Sequence, residues 1–497
     1  MKDNIVGQIN TAHPPRLYLQ PLGGSNQERI GSNCNLVVLG HYDEGQLHGE
    51  AVLVDCGADP ARRGPGGWIQ SFPDIRHLLH PHSPVKLRAI FLTHAHNDHD
   101  EAIVRYCEAG YPLPPIHGSA LTLYMLKDKL RSAGIQRHRW PGMTIFEYGE
   151  VVPSGGLTVE PVAMGHSLPG SGFLVRGGGK GIFFSSDFKL DQTTLTPHTD
   201  LQRLQQMGEN KEVDVLCVDS TRALQDGTTV PEADIRTNLL DLTEKFPNYR
   251  VNIVTLGTNA EGLARAAWVA AQTGRVLAHH GKSIERTLRG LNSSGLDLPT
   301  LVGQPDLQIV SGRTQLAQCL HPSYVLNVLA GAQGERAAVL ARASRDEDPH
   351  LQFSAEDIVI FSASVMPWNK GKINAMIDAI KAQGVEHVFL DTAGGKQLHA
   401  SGHEHGGGLL QLAQMVQPQS AIIGLHGSTL QRKACTDRFN AIAAQAPAIT
   451  LDNGQILDTT GSVANIVGTQ PAPQIEIQIR ADHKPAHPVP TAHLKVA

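Results

Sequence analysis

Short apolar runs that end in glycine or in a polar residue dominate the first half of the chain. Examples are "RLYLQPLGG", "CNLVVLG", "EAVLVDCG" and "KLRAIFLTH", and later "LTVEPVAMGH", "GSGFLVRG", "GKGIFFSSD" and "EVDVLCVDS". Their length and their β-branched content predict strands. "DEAIVRYCEAG" has a helical apolar spacing that stops at Gly110. Strands this dense predict two packed sheets with helices outside.

From about residue 223 the pattern changes to an alternation of strands and helices. "RVNIVTLGTN" precedes the helical "AEGLARAAWVAAQTG", and "DIVIFSASVM" precedes "GKINAMIDAIKAQG". This alternation predicts a parallel α/β layer. We interpret it as a module inserted into a first domain that later resumes. The predicted boundaries are 1–222 and 396–467 for the two parts of the first domain, 223–395 for the module, and 468–497 for a proline-rich tail around a strand "IEIQI", expected to be an extended appendage.

Composition restricts the classes of partner and compartment. The net charge of −5 over 497 residues provides no global attraction for nucleic acid, so any binding groove must be a local basic lining. The start of the chain lacks the apolar core of a signal peptide, and no apolar run is long enough to span a bilayer. The cysteines form no C-x-x-C pair and indicate buried thiols in a reducing, cytoplasmic compartment: Cys34, Cys56, Cys107, Cys217, Cys319 and Cys435.

The stretch "THAHNDHDE" crowds histidines and acids directly after an apolar strand. His94, His96, Asp98 and His99 follow "AIFLT", where a tight loop can turn them toward one point. Bound cations would relieve the crowding, and nitrogen and oxygen ligands suit Zn²⁺, or less exclusively Mn²⁺ or Fe²⁺. The competing interpretation is a solvated polar loop. Three more candidate ligands, each at the end of an apolar strand, can complete the shell or simply cap loops: His166, Asp187 and His426.

The order of these motifs resembles a known family. H-x-H-x-D-H followed by a later His and Asp is similar to the metallo-β-lactamase fold, and the inserted module resembles the β-CASP domain. "PLGG", "PDIRHLL", "IFLTHAHNDH", "HSLPGS", "SDFKLDQT", "DVLCVDST", "IVIFSAS", "HASGH" and "HGS" occur in the order found in ribonuclease J, over residues 16–465. The resemblance implies an α/β fold, a metallo-β-lactamase αββα sandwich with an inserted β-CASP α/β domain.

The resemblance also implies a reaction and a site. It implies a metal-dependent ribonuclease that degrades single-stranded RNA from 5′ to 3′, with internal cleavage as a second activity, through a hydroxide activated by two divalent metals, Zn²⁺ or alternatively Mn²⁺. By matching positions, His94, His96 and His166 would hold one metal, and Asp98, His99 and His426 the other, with Asp187 between them. Asp98, Asp219 and His403 would be catalytic, and Asp55 would orient a histidine ligand or form a strand-end turn.

Hydroxyl and amide side chains near "HASGH" match the family's pocket for a terminal phosphate. They are Ser362, Ser364, Ser401 and, as a weaker candidate, Asn259. Their alternative role is ordinary capping of loops after strands. As a phosphate pocket they predict faster degradation of monophosphorylated RNA than of triphosphorylated RNA.

The chain departs from the family pattern at several positions. Asn97 replaces a glutamate, Asp100 and Glu101 replace a small apolar run, Trp368 replaces a glycine, and an arginine is displaced to Arg265. We expect these changes to affect substrate handling rather than metal binding. The family's separate C-terminal domain has no match here, which leaves oligomerisation open. The alternatives are a β-CASP nuclease acting on DNA, a hydrolase of small thioesters or lactams, and a non-catalytic scaffold; no membrane partner is expected.

Overall fold

A computed structural model describes residues 13–25, 30–64, 67–315, 317, 320–442 and 446–479. Its first part is rich in strands, as predicted. The elements before residue 220 are β1 (Arg16–Gly23), β2 (Cys34–Asp43), β3 (Gln46–Val54), β4 (Arg62–Gly64), β5 (Gly67–Pro73), β6 (Val85–Phe91), α1 (Asn97–Ala109), β7 (Ile116–Gly118), α2 (Ala120–Ser132), β8 (Met143–Ile145), β9 (Val152–Ser154), β10 (Leu157–Met164), β11 (Gly170–Gly177), β12 (Lys180–Phe184), α3 (Leu201–Glu209) and β13 (Val215–Asp219).

The middle of the chain forms a separate parallel sheet. Its elements are α4 (Glu232–Glu244), β14 (Arg250–Thr255), α5 (Ala260–Gln272), β15 (Val276–His280), α6 (Lys282–Ser293), α7 (Leu298–Leu301), β16 (Ile309–Ser311), β17 (Val325–Ala330), α8 (Val339–Ala343), β18 (Asp357–Phe361), α9 (Lys370–Ala382) and β19 (His387–Phe389). The strand order is β16-β15-β17-β14-β18-β19, and all neighbouring pairs are parallel. The predicted parallel α/β layer is therefore confirmed.

Apart from one isolated pair of strands, the last part of the chain adds its strands to sheets formed by the first part. Its elements are β20 (Thr392–Ala393), β21 (Lys396–Gln397), α10 (Gly406–Val416), β22 (Ala421–Leu425), α11 (Thr429–Ala441), β23 (Ala448–Ile449), β24 (Gln455–Asp458), β25 (Asn465–Thr469) and β26 (Gln474–Ile479). The expectation of an extended appendage is wrong for the "IEIQI" segment, because β26 pairs with β5 along its whole length. The remainder of the proline-rich tail, residues 480–497, lies outside the described residues.

Two mixed sheets form the sandwich. One has the order β25-β24-β1-β2-β3-β6-β7-β8 and the other β23-β22-β13-β12-β11-β10-β9. Val37, Phe91, Phe173 and Ile423 belong to the apolar core between the sheets. Helices α1 and α2 cover the outer face of the first sheet, and α3, α10 and α11 cover that of the second. This arrangement is the predicted αββα sandwich.

The strand directions bring distant parts of the chain to one edge of the sandwich. Strands β12, β13 and β22 are parallel neighbours, so Asp187, Asp219 and His426 follow or end strands at the same edge. Strands β3 and β6 are likewise parallel, which places Asp55 and His94 together. Carboxyl ends of parallel strands are a common place for functional side chains.

The cysteines and the lengths of the helices bear on the predicted compartment. The five cysteines in the described part of the chain are free and buried, whereas Cys319 lies outside it. Among the described residues, no helix combines the length and the apolar character needed to cross a bilayer.

Candidate metal centre

The histidine motif lies at a strand-to-helix junction rather than in an open loop. Helix α1 begins at Asn97, earlier than the apolar pattern predicted, and His96 is its N-cap residue. Asp98 and His99 therefore lie on the first helical turn, where the backbone holds their side chains in fixed directions. The predicted end of this helix at Gly110 is confirmed, because Gly110 is a C-cap with φ of 84°.

A first group of ligand atoms comes from three histidines. His94 Nε2 lies 2.9 Å from His96 Nδ1, and His166 Nε2 lies 3.3 Å from the same nitrogen. Both His94 Nε2 and His166 Nε2 lie 3.6 Å from Asp187 Oδ2. Ligands at 2.0–2.1 Å from one tetrahedral ion are separated by about 3.3 Å, so these spacings suit a single bound ion.

A second group faces the other oxygen of the same carboxylate. Asp187 Oδ1 lies 3.2 Å from His426 Nε2 and 3.4 Å from His99 Nε2. Asp98 Oδ2 lies 3.7 Å from His426 Nε2 and 3.8 Å from His99 Nε2. The two oxygens of Asp187 thus face two different sets of ligand atoms.

The residues present fit divalent metal. Asp187 is 2% exposed, and within the described part of the chain its Oδ1 atom accepts no hydrogen bond of proper geometry. A buried carboxylate oxygen without a partner is costly unless a cation neutralises it. The imidazole and carboxylate ligands are those that Zn²⁺ and similar ions use in proteins. The fold and this donor set together indicate a divalent metal site.

Burial sets the protonation of the first group. It lowers the pKa of His94 and His166 well below the ordinary imidazole value, and it lowers the pKa of His96 to about 4. These side chains are therefore neutral at physiological pH. The neutral imidazole is the form that binds metal.

Carboxylates dominate around the second group. Burial acts to lower the pKa of His99 and His426, but the negative charge of Asp187 and its neighbours outweighs it, and the pKa of His426 rises to about 9. The same histidines outweigh the effect of burial on Asp187 and hold its pKa well below the usual range. This part of the site therefore attracts positive charge, which a divalent ion can supply.

Buried side chains orient the second group from behind. Asp55 Oδ2 accepts a hydrogen bond from His99 Nδ1 at 2.8 Å, and Thr93 donates to the same carboxylate from its backbone N–H at 2.9 Å. The bond to Asp55 fixes the tautomer of His99 with Nε2 free for metal. The predicted orienting role of Asp55 stays a prediction, and this contact supports it over a simple turn.

Backbone strain is concentrated at this edge. Asp55, Ser186 and His426 have φ angles of 65°, 55° and 50°, in the left-handed region that residues with a Cβ rarely adopt. Ser186 directly precedes Asp187, so its conformation directs that carboxylate into the cluster. Strain of this kind is often found at functional sites.

His403 and Asp219 form a hydrogen-bonded pair beside the metal ligands. His403 Nδ1 donates to Asp219 Oδ2 at 2.7 Å, and the backbone N–H of Thr221 donates to Oδ1 of the same carboxylate at 2.8 Å. Asp187, Asp219, His403 and His426 also lie close enough to be grouped as metal ligands. Because the Nδ1 proton of His403 is committed to Asp219, we regard this pair as separate from the ligands.

The four candidates for the phosphate pocket differ in their surroundings. Ser401 Oγ accepts from the His403 backbone N–H at 3.0 Å, so it lies beside the catalytic candidates. Ser362 is 1% exposed and donates its hydroxyl to the carbonyl of Leu398 at 2.6 Å. Asn259 caps α5 through its side chain, and Ser364 is half-buried on the loop after β18. The side chains of Ser362 and Asn259 thus make ordinary loop and helix-cap contacts, which is the alternative to phosphate binding.

Two departures from the family pattern, Asn97 and Asp100, share a local partner. Lys129 Nζ donates to Asn97 Oδ1 at 2.9 Å and to Asp100 Oδ1 at 2.5 Å, and it also bonds the backbone carbonyl of Ala95 at 2.9 Å. These contacts brace the start of α1. Arg265 is 1% exposed and donates from Nη1 to Glu232 Oε2 at 2.5 Å; its effect on substrate handling stays a prediction.

Sequence reasoning missed two residues at the site. Asn33 Nδ2 lies 2.6 Å from His426 Nδ1 and 3.2 Å from His99 Nε2. Arg222 Nε donates to Ser401 Oγ at 3.3 Å and brings a cation next to the candidate phosphate pocket. Neither residue belongs to a metal-ligand pattern, although Arg222 directly follows "DST".

Two family models match this chain. One, described as "Ribonuclease J, beta-CASP domain", matches residues 248–380, and the other, described as "Beta-lactamase superfamily domain", matches residues 50–280. The crystal structure of a protein of unknown function from Enterococcus faecalis V583 matches with a TM-score of 0.61 at 15% identity, over 89% of this chain and 100% of that one. At that identity the likeness shows the fold alone.

Curated relatives extend the match over almost the whole chain. A protein named Ribonuclease J from Sinorhizobium meliloti is 30% identical over 467 residues, which cover 93% of this chain and 77% of that protein. Another of the same name, from Mycobacterium tuberculosis, is 28% identical over 92% of this chain and 77% of its own. With its αββα sandwich, its β-CASP module and its His/Asp cluster, this chain belongs to the ribonuclease J family.

Proposed function

We propose that this chain is a ribonuclease that hydrolyses phosphodiester bonds of single-stranded RNA with two divalent ions, Zn²⁺ being the first choice and Mn²⁺ the alternative. The observation that carries the proposal is the position of Asp187, whose two oxygens face separate groups of ligand atoms. One tetrahedral ion cannot use all seven ligands. The proposed ligands are His94, His96 and His166 for one ion, Asp98, His99 and His426 for the other, and Asp187 for both.

When bound, two such ions would neutralise phosphate oxygens and lower the pKa of an attacking water molecule. The chain itself must handle the proton of the leaving group. Asp219 holds the Nδ1 side of His403 at 2.7 Å, so Nε2 is the nitrogen left for substrate. A protonated His403 can pass its Nε2 proton to the departing 3′-oxygen, while Asp219 stabilises the cationic ring. Asp98 acts in catalysis through its place among the ligands.

The substrate class comes from the relatives, which are named Ribonuclease J. The chain has a net charge of −5, so its affinity for RNA must rely on local cations such as Arg222 beside Ser401. Contacts with several phosphates make binding weaken steeply with salt. A binding constant insensitive to salt would favour a small-molecule substrate instead.

We further propose that degradation runs from the 5′ end and prefers a terminal monophosphate. Ser401 and Arg222 lie next to His403 and offer a hydroxyl and a guanidinium for a phosphate. Ser364 and the backbone near Ser362 and Asn259 are the remaining candidates, although the last two side chains already bond the protein. A triphosphate would be crowded there, and internal cleavage is the second activity.

The decisive experiment compares one labelled RNA bearing a 5′-monophosphate, a 5′-triphosphate or a 5′-hydroxyl, with the corresponding DNA as a fourth substrate. We expect mononucleotide products, formed fastest from the monophosphate. Equal rates on all three RNA ends, with internal products only, would refute the end pocket while sparing the metal centre. Faster cleavage of the DNA would refute the assignment to RNA.

The metal centre is tested with two variants and a matched control. Asp187→Asn should lower the bound metal below two equivalents and abolish cleavage. Asp219→Asn should keep the metal and reduce kcat by about 10²-fold or more, because a general acid contributes about 10²–10⁴-fold. Asp437→Asn, on an exposed aspartate, should change neither. A stable content of one metal in the unaltered protein would refute the bridging role of Asp187. The cytoplasmic location stays a prediction.

A further inference from the structure

An exposed tryptophan lies on the loop between β18 and α9. Trp368 is 75% exposed, and Met366 on the same loop is 44% exposed. Large apolar side chains usually gain stability from burial, and an exposed tryptophan next to a second exposed apolar residue is a feature of binding surfaces. This is the position where the family resemblance leads one to expect a glycine.

The loop that carries Trp368 is held in place by one side chain. Gln333 Nε2 donates to the carbonyl of Ser364 at 2.7 Å, and Gln333 Oε1 accepts from the backbone N–H of Met366 at 3.1 Å and from Asn369 Nδ2 at 3.2 Å. The backbone is therefore fixed on both sides of Trp368 while the indole remains in solvent. A ring presented by a held loop loses little conformational entropy when a partner stacks on it.

The position of the loop relates it to the catalytic candidates. Strand β18 is parallel to β14, and the loop leaves from its carboxyl end, where Ser362 bonds Val254 and Leu398. Leu398 begins the segment that leads to His403. An extended chain from Ser362 to Trp368 spans at most about 20 Å, so the indole stays within that reach of Ser362, whose hydroxyl bonds the segment that leads to His403. The carboxyl edge of a parallel sheet is where ligands commonly bind.

Charge around the tryptophan favours an anionic partner. Lys370 and Lys372 occupy the first turn of α9, and that turn contains no acidic residue. Both lysines place positive charge at a helix N-terminus, where it opposes the helix dipole, and Lys372 Nζ donates to Asn369 Oδ1 at 3.2 Å. Next to an exposed aromatic ring, they match a strand that offers both bases and phosphates.

We propose that Trp368 is a stacking platform for an unpaired base of the RNA substrate, with Lys370 and Lys372 contacting the adjacent phosphates. This inference rests on the proposed function and adds to it a determinant of substrate position. Stacking on one ring is tolerant of sequence, because every base has a π-face. Its energetic effect should appear in RNA affinity and KM, and kcat at saturating RNA should be unchanged.

The test measures the affinity of the metal-loaded full chain for a nuclease-resistant phosphorothioate RNA with a 5′-monophosphate. Trp368→Ala should weaken binding about 5- to 100-fold, the range for loss of one base–aromatic stack. Trp368→Phe should restore most of the affinity. The matched control is Tyr324→Ala. Tyr324 is 59% exposed and lies just before β17, at the amino-terminal ends of the strands, whereas Trp368 follows the carboxyl end of β18. The RNA affinity of this control should stay within about twofold of that of the unaltered protein, since a ring at the other end of the strands does not stack on the same base.

An abasic scan locates the stacked base. An RNA series with one abasic nucleotide at successive positions should show a single position where removal of the base weakens binding to the unaltered protein but not to Trp368→Ala. Unchanged affinity and KM in Trp368→Ala, or equal losses in both proteins at every abasic position, would overturn the proposal and point to a protein partner for this loop. A protein that shows the stacking pattern but cuts no RNA would contradict the proposed function alone.

Discussion

A buried carboxylate joins the two parts of the molecule, and its removal provides a quantitative test of the structure. Glu232, at the start of α4, is 2% exposed. Its Oε1 atom accepts from Lys189 Nζ at 2.6 Å, and its Oε2 atom accepts from Arg265 Nη1 at 2.5 Å. Lys189 lies two residues after the proposed metal ligand Asp187 in the sandwich, whereas Arg265 lies on α5 of the inserted module. One negative charge therefore holds two buried cations.

Glu232→Gln keeps the shape of the side chain and removes the charge. Removing one partner of a buried ion pair costs about 3–5 kcal/mol, because the other charge remains uncompensated. The side chains of Lys189 and Arg265 are each 1% exposed, so water cannot replace the carboxylate. In the described part of the chain, Arg265 Nε and Nη2 already lack acceptors, which leaves the guanidinium no second partner. We therefore expect a loss of about 3–5 kcal/mol, a large share of a typical total of about 5–15 kcal/mol.

The assay is urea unfolding followed by circular dichroism at neutral pH. Asp437→Asn is the control, since its partner Lys433 is 68% exposed and such pairs contribute about 0–1 kcal/mol. The double variant Glu232→Gln with Arg265→Met should recover part of the loss, because it removes one unpaired cation and replaces it with an apolar side chain. A loss below about 1 kcal/mol for Glu232→Gln would refute the reasoning, since that is the range of solvent-exposed pairs.

Two further predictions concern the metal centre and the response to acid. In Gly402→Ala the new Cβ would lie 2.8 Å from the ring of His166, so we expect metal affinity to fall about 10- to 100-fold in a chelator competition, whereas Gly142→Ala, with open space around it, should leave the affinity unchanged. Hydrogen bonds from Arg203 lower the pKa of Glu212 from 4.5 to about 2, so its contribution is present above pH 4.5 and is lost as the pH falls toward 2. Glu212→Gln should therefore lower the unfolding free energy by about 1 kcal/mol at pH 7, after allowance for solvent screening, and by almost nothing at pH 2; an equal loss at both pH values would contradict the ion pair.

Much of the architecture and of the metal centre could be predicted because the information is local. Each short apolar run forms a strand, and the polar residue that ends it, such as His94, Asp187 or His426, lies at the same edge of the sandwich once the strands are parallel. The alternation of runs after residue 223 likewise predicted the parallel sheet of the module. The spacing of apolar residues and the polar residue that ends a strand are both properties of neighbouring positions, so they can be recognised in a single sequence.

Other features required the tertiary structure, because they depend on residues far apart in the chain. Asn33 and His426 are 393 positions apart and meet at 2.6 Å, and no local pattern marks Asn33 as part of the site. The pairing of β26 with β5 and the partner of Arg265 were missed for the same reason. The exposure of Trp368 also depends on how its loop is held. Burial and side-chain contacts are set by the packing of the whole chain. The candidate metal ligands, by contrast, can be identified in the sequence as the histidines and acids that follow short apolar runs.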